Sequence, residues 1–458
     1  MTTKTQHQPS APEGGEPQQS RTTWPGPRSV ALFEEEQQYI APGTQSIALL
    51  SRLAIERGEG ARLFDADGNR YLDFNVGVSV GSLGYGHPKY VAALERQLRE
   101  VTIGSFTSRP RLALVKLLAQ VAPGRLRRSQ FFSGGAEAVE SALRLARSYT
   151  KKMNVFGFWG AFHGKTAGVM PLSSVDWKYD SQPMPVGYHR APYADCTRCP
   201  WDLAYPACAL ACVEHLRRQI REEARGNVAA VIVEPIQGTN GNVVPPPGFL
   251  AGVAAVAREA GALLVADEMI TGFGRTGLMF GCEHDGVEPD ILTIGKSLGS
   301  GFPVAGLIST DEIVQAAPWS LPSASSSSYG GNPLASAAAL AAVQTIVDDG
   351  LVANSARVGA LLLENLRARL AKYPCVGEVR GKGLLIGFDL VQRAGSVEPQ
   401  GKAFCEALFA ESLRRGLIAM SYSPRVRIHP PITLTAAEAL EGAAIIDAAL
   451  GAVAAAHA

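Results

Sequence analysis

Apolar positions change their spacing several times along the chain, and each change marks a different kind of element. Residues 1–29 are mostly Gln, Pro, Ser, Thr and Gly. That is too little apolar surface to offset the entropy of ordering, so a disordered tail is predicted. The segment ARLFDADGNRYLDF then alternates apolar and polar positions on both sides of Asp67-Gly68. This is a hairpin pattern, with Tyr71, Leu72 and Phe74 resuming after the turn.

From about residue 110 to 310, short apolar runs alternate with helical stretches, which predicts a mostly parallel sheet covered on both faces. Val231-Ile232-Val233 and Leu263-Leu264-Val265 are the clearest strands, running into Glu234 and into Asp267-Glu268. Open α/β sheets hold ligands at strand C-termini, so these acidic ends are placed on one crevice. After about residue 345 the pattern becomes a long helix (ARVGALLLENLRARLAKY), a strand near 384–390, a helix near 404–415 and an Ala-rich C-terminal helix. The predicted division is a tail (1–29), the N-terminal part of a small domain (30–84), a large domain (85–345) and the C-terminal part of the small domain (346–458).

With 458 residues the chain exceeds what one core usually supports. Lys plus Arg number 43 against 42 Asp plus Glu, without a basic stripe, so no nucleic-acid partner is expected. No apolar run approaching a bilayer span and no signal-peptide core are read from the sequence. A cytoplasmic protein without a membrane partner is therefore expected.

Three segments carry chemistry. FFSGGAEAVESALRLAR passes from a strand end through Ser133-Gly134-Gly135-Ala136 into a helix, where small residues let backbone N–H groups approach an anion. A ligand-free strand-to-helix turn would look the same. GALLVADEMITGFGRTG puts Asp267 at a strand end, and PDILTIGKSLGSGFP puts Lys296 in a Gly-rich apolar stretch. Burying an unpaired ammonium is costly, so either a covalent or paired fate or an exposed loop position accounts for Lys296.

Taken in order, YLDF…GYGHP, SGGAEA, FHG, EPIQG, DEMITGFGRTG, PDI…GK, SSSYGGNP, RGKGLLIG and RIHPP resemble the class III (ω-) aminotransferases. These are pyridoxal-phosphate enzymes of the aspartate-aminotransferase fold (fold type I). The resemblance implies an α/β fold, with a large cofactor domain built on a mostly parallel seven-stranded sheet and a smaller α+β domain of N- and C-terminal segments. It implies that Lys296 is the Schiff-base lysine and proton carrier, and that Asp267 pairs with the pyridinium nitrogen. Phe162 and Met269 would pack the two ring faces, and Gly135 and Ala136 would bind the phosphate. His163 and Glu234 fall among the cofactor contacts rather than the catalytic groups. Ser328, in a low-complexity Ser run, takes the place of a Thr that reaches the phosphate of the neighbouring subunit, which implies a homodimer with shared active sites.

The chain also departs from the family pattern. In the branch handling γ-aminobutyrate and ornithine, a Glu after EPIQG pairs with an Arg before the PP dipeptide. Here Thr239 follows Gly238 while Arg427 survives in RIHPP, leaving Arg427 to bind a substrate carboxylate, to be covered by another acid, or to be a plain surface arginine. The insert CTRCPWDLAYPACALAC has the spacing C-x2-C-x8-C-x3-C, read as structural thiols in preference to a metal site. It resembles an insert in a subgroup containing both aminotransferases and amino-acid racemases. The expected activity is ping-pong transfer from an amino acid such as glutamate or alanine to an aldehyde or keto acid. By elimination, a sugar or aminocyclitol aldehyde is a candidate acceptor. An amino-acid racemase or epimerase is the alternative.

Overall fold

In the computed structural model, residues 23–181 and 183–457 are described. Strands β1 (Ile55–Glu59), β2 (Arg62–Asp65) and β3 (Arg70–Asp73) form an antiparallel meander. Seven strands follow: β4 (Arg128–Phe132), β5 (Asn154–Phe158), β6 (Tyr188–Ala191), β7 (Val228–Val233), β8 (Leu263–Asp267), β9 (Ile291–Ile294) and β10 (Ala305–Ser309). They make one sheet in the order β4-β10-β9-β8-β7-β5-β6, parallel except at β10, which runs antiparallel to both neighbours. The last four strands are β11 (Val376–Lys382), β12 (Leu385–Leu390), β13 (Leu417–Ile418) and β14 (Arg425–Ile428). β13 pairs with β3 in parallel and joins the two ends of the chain in one sheet, whereas β11, β12 and β14 form a third.

β7 and β8 are buried along their whole length, which is why they read as unbroken apolar runs. Successive side chains go to opposite faces. Val231, Val233, Leu264 and Ala266 enter one core cluster, and Ala230, Ile232, Leu263 and Val265 enter another. Helix Gly135–Thr150 covers the second cluster with Ala138, Ala142, Leu143 and Ala146, while helix Phe249–Glu259 packs into the first. The result is helices on both faces and a crevice at the C-terminal ends of β7 and β8.

The predicted tail lies outside the described residues up to residue 22, but its boundary at 29 falls inside a helix, Pro27–Glu36. Pro27 has no N–H to lose at the first turn. The Asp67 carboxylate in the hairpin turn accepts from the N–H groups of Arg28 and Ser29, each at 2.8 Å. A side chain 38 residues away satisfies donors that local sequence leaves open.

The C-terminal helix, Ala436–Ala456, also departs from expectation, because by length and composition alone it could cross a membrane. It packs against helices Leu351–Leu370 and Lys402–Arg414, burying Ala439, Gly442, Ala443, Ile446, Leu450 and Val453. Its apolar character is that of a core helix with one buried stripe.

Candidate active site

The crevice is a cavity of about 440 Å³ lined by Ser133, Gly135, Ala136, Phe162, His163, Asp267, Met269 and Lys296, together with Val80 and Phe302. Asp267, last residue of β8, is 1% exposed. Its carboxylate accepts from Thr293 Oγ1 at 3.0 Å and the Met269 N–H at 3.2 Å, and its other oxygen lies 2.6 Å from His163 Nδ1. Burial alone would push its pKa up, but the hydrogen bond and charge of His163, with the charge of Lys296, bring it below the usual carboxylate value. Asp267 is therefore a buried, held anion.

Burial works against charge on His163, yet the hydrogen bond and charge of Asp267, aided by Glu234, raise its pKa. Glu234, just past β7, is 5% exposed and accepts from the N–H groups of Phe162 at 2.9 Å and Gly238 at 3.0 Å. Burial raises its pKa, with Asp267 adding to the effect. Glu234 thus fixes the backbone that aims Phe162 at the cavity, and does not itself line it.

Lys296 follows β9 with φ +42°, a left-handed conformation costly for a residue with a Cβ. Burial lowers its pKa and Arg427 adds to that, while Asp267 and Glu234 oppose it. The net direction favours the neutral amine, the form that attacks a carbonyl carbon.

At the start of helix Gly135–Thr150, Glu137 takes the N–H groups of Ser133 and Gly134 at 3.1 and 2.9 Å. The N–H groups of Gly135 and Ala136, in the helix's first turn, have no intrahelical acceptor, and both residues line the cavity. A Cβ on Gly135 would stand 3.2 Å from Met269 Sδ, so only glycine leaves the seat open at full width. Helix donors, a buried anion, an amine of lowered pKa and the Phe162 and Met269 side chains fit pyridoxal phosphate by charge and shape.

Two expected residues lie apart from this group. Ser328 is exposed and does not line the cavity of its own chain. Arg427 lies on β14, where burial lowers its pKa, and among the described residues no carboxylate is within ion-pair distance of it. Thr293 was missed from sequence, although a lone polar residue in the apolar strand ILTI was a usable signal.

Fold and cavity together define a pyridoxal-phosphate enzyme of the α/β kind. The aminotransferase class-III family profile matches residues 44–450, and the chain belongs to that family. It is a class III pyridoxal-phosphate-dependent aminotransferase. It is 33% identical to a 4-aminobutyrate aminotransferase of Mycobacterium leprae over 94% of this chain and 97% of that protein. It is 32% identical to a leucine/methionine racemase of Thermococcus litoralis over 86% and 89% of the two chains. An (S)-enantioselective ω-transaminase from Thermomicrobium roseum superposes with a TM-score of 0.85 at 34% identity, covering 94% of this chain and 99% of that one.

Proposed function

We propose that this enzyme moves an amino group from an amino acid whose carboxylate is held by Arg427 to an aldehyde or keto acid, by ping-pong exchange at one site. The guanidinium of Arg427, part-buried on β14 with no carboxylate within ion-pair distance among the described residues, carries this reading. A part-buried charge left without a partner is costly unless an anion completes it.

Pyridoxal phosphate, when bound, supplies an electron-accepting ring and the carbon that takes up the amino group. Around it, the Gly135 and Ala136 N–H groups would hold the phosphate, and Phe162 and Met269 would pack the ring faces. Asp267 would hold the ring nitrogen protonated, with His163 and Thr293 keeping Asp267 ionised and oriented. Lys296 Nζ would take the proton from substrate Cα and deliver it, not back to Cα, but to the cofactor carbon that takes up the amino group. Transfer is favoured over racemisation because, of the titratable groups lining the cavity, His163 and Asp267 are engaged with each other and only Lys296 remains to move a proton.

We further propose that a second copy covers the exposed Val101, Ile103, Phe106 and Tyr329. Leu334 N–H, in the first turn of helix Pro333–Asp348, donates to Thr102 O at 3.3 Å, joining the segment after Val101 to the one that carries Ser328 into that helix. Closure by a twin subunit would carry each Ser328 hydroxyl toward the other's phosphate seat.

The test is a spectrum of the enzyme mixed with a panel of amino acids without acceptor. Loss of absorbance near 420 nm with a rise near 330 nm supports transfer and identifies the donor. An unchanged endpoint with Cα hydrogen exchanging into deuterated solvent would replace it by racemisation.

A further inference from the structure

At the start of the Cys-containing insert, residues 195–212, Asp195, Thr197 and Arg198 make polar contacts across to the three-stranded sheet. Asp195 accepts from Arg425 Nη2 at 2.8 Å, Thr197 Oγ1 donates to Glu378 at 2.9 Å, and Arg198 Nη1 donates to Asp389 at 2.7 Å. Asp389 is 1% exposed and also accepts from Arg380 Nη2 at 2.7 Å. In the β12–β14 register Asp389 stands opposite Arg425, and Gly387 opposite Arg427.

Val426 and Ile428 are buried on one face of β14, so Arg425 and Arg427 share the other. Arg425 Nη1 reaches Asn240 O, and Arg380 Nη2 reaches Gly241 O at 2.7 Å, in the loop directly after Thr239. On this sheet face Arg380 and Arg425 are thus tied to the insert or to that loop, whereas Arg427 and Lys382 have no ion pair among the described residues. Thiols Cys196, Cys199, Cys208 and Cys212 are all free and line one small cavity at the base of the insert. Among the described residues no group of His, Cys, Asp or Glu is placed to hold a metal ion.

We infer that Asp195 and Arg198 are positioning residues for substrate carboxylate recognition, an inference resting on the assignment of Arg427 above. The insert clamps β14 so that Arg427 faces the site. Asp195 also neutralises Arg425, which would otherwise be a second unpaired guanidinium two residues away, competing for the same carboxylate. One part-buried charge pair, Asp195 with Arg425, ties the insert to β14, and a second, Arg198 with the buried Asp389, ties it to the neighbouring β12, so sliding the insert would strand those charges.

The experiment uses the holoenzyme, the donor found by the spectral panel, and that donor's carboxylate analogue lacking the amine. Calorimetry gives the Kd of the analogue, and stopped-flow gives the limiting half-reaction rate. Asp195→Asn is expected to raise both that Kd and the donor KM about tenfold, on the scale of a misplaced positioning group, with the limiting rate within about twofold of wild type. Adding Arg425→Gln, which removes the stranded charge, is expected to recover part of the loss.

Arg427→Leu is the reference. If it weakens the analogue while Asp195→Asn does not, or if Asp195→Asn lowers the limiting rate as much as the affinity, the positioning role is overturned and carboxylate binding by Arg427 stands. If Arg427→Leu leaves the analogue's Kd unchanged, both assignments fall together.

Discussion

Asp267 is legible in the sequence as an acid at a strand end, but what keeps it charged is not. His163 arrives from the loop after β5 and Thr293 from β9, and contacts of that range leave no trace in local spacing. Lys296→Ala is expected to abolish the 420 nm band and turnover while circular dichroism stays native, and retained turnover would remove Lys296 from the mechanism. Asp267→Asn should retain cofactor yet lose about 10²- to 10³-fold in kcat, the scale of a lost preorganised charge. Near-normal kcat would mean the ring nitrogen is held by another group. His429 offers a test by pH. Burial, with Arg427, Arg275 and Lys296 nearby, holds its pKa well below the usual value, and its Nε2 lies 3.0 Å from Asn242 Oδ1. The unfolded chain takes up a proton below about pH 6.5 that the folded one refuses, so the stability His429 contributes is present above that pH and lost below it. The Tm should fall more between pH 7 and 5 in wild type than in His429→Gln, and equal falls would place the titration elsewhere.

At the level of elements, period and composition reveal existence better than ends. The hairpin, the strands β7 and β8 and the long C-terminal helices were all legible, because their apolar spacing is set by the core they face. The start of helix Pro27–Glu36 was not, since its first donors are satisfied by Asp67 from the hairpin. The apolar character of helix Ala436–Ala456 was also underestimated, since its core-facing stripe is built from alanines and glycine as much as from large side chains. The start of helix Gly135–Thr150 depends on a neighbour too. Gly164 has φ +128°, and a Cβ there would meet Ala136 Cβ at 2.6 Å and Cα at 3.0 Å. Gly164→Ala is expected to cost about 1–3 kcal/mol in backbone strain and to shift the phosphate seat. Thermal denaturation and cofactor titration should both show the loss. Unchanged cofactor affinity would mean the seat tolerates movement of Ala136.

Across the whole molecule, the exposed group formed by Phe106, Ile103 and Tyr329 yields the remaining expectation. Light scattering should give twice the chain mass for wild type, and Phe106→Glu should shift the population toward monomer with weakened cofactor retention. A wild-type monomer with full activity would rule out a shared site. The sequence by itself determined the α/β architecture, an acid at the end of β8 and small residues ahead of helix Gly135–Thr150, because periodicity and residue chemistry are local properties. Only the tertiary structure decided that His163 and Thr293 serve Asp267, that Glu234 serves Phe162, and that the insert grips β14 beside Arg427. Each of those joins groups brought together by sheet order, and sheet order depends on long-range packing that no window of sequence contains.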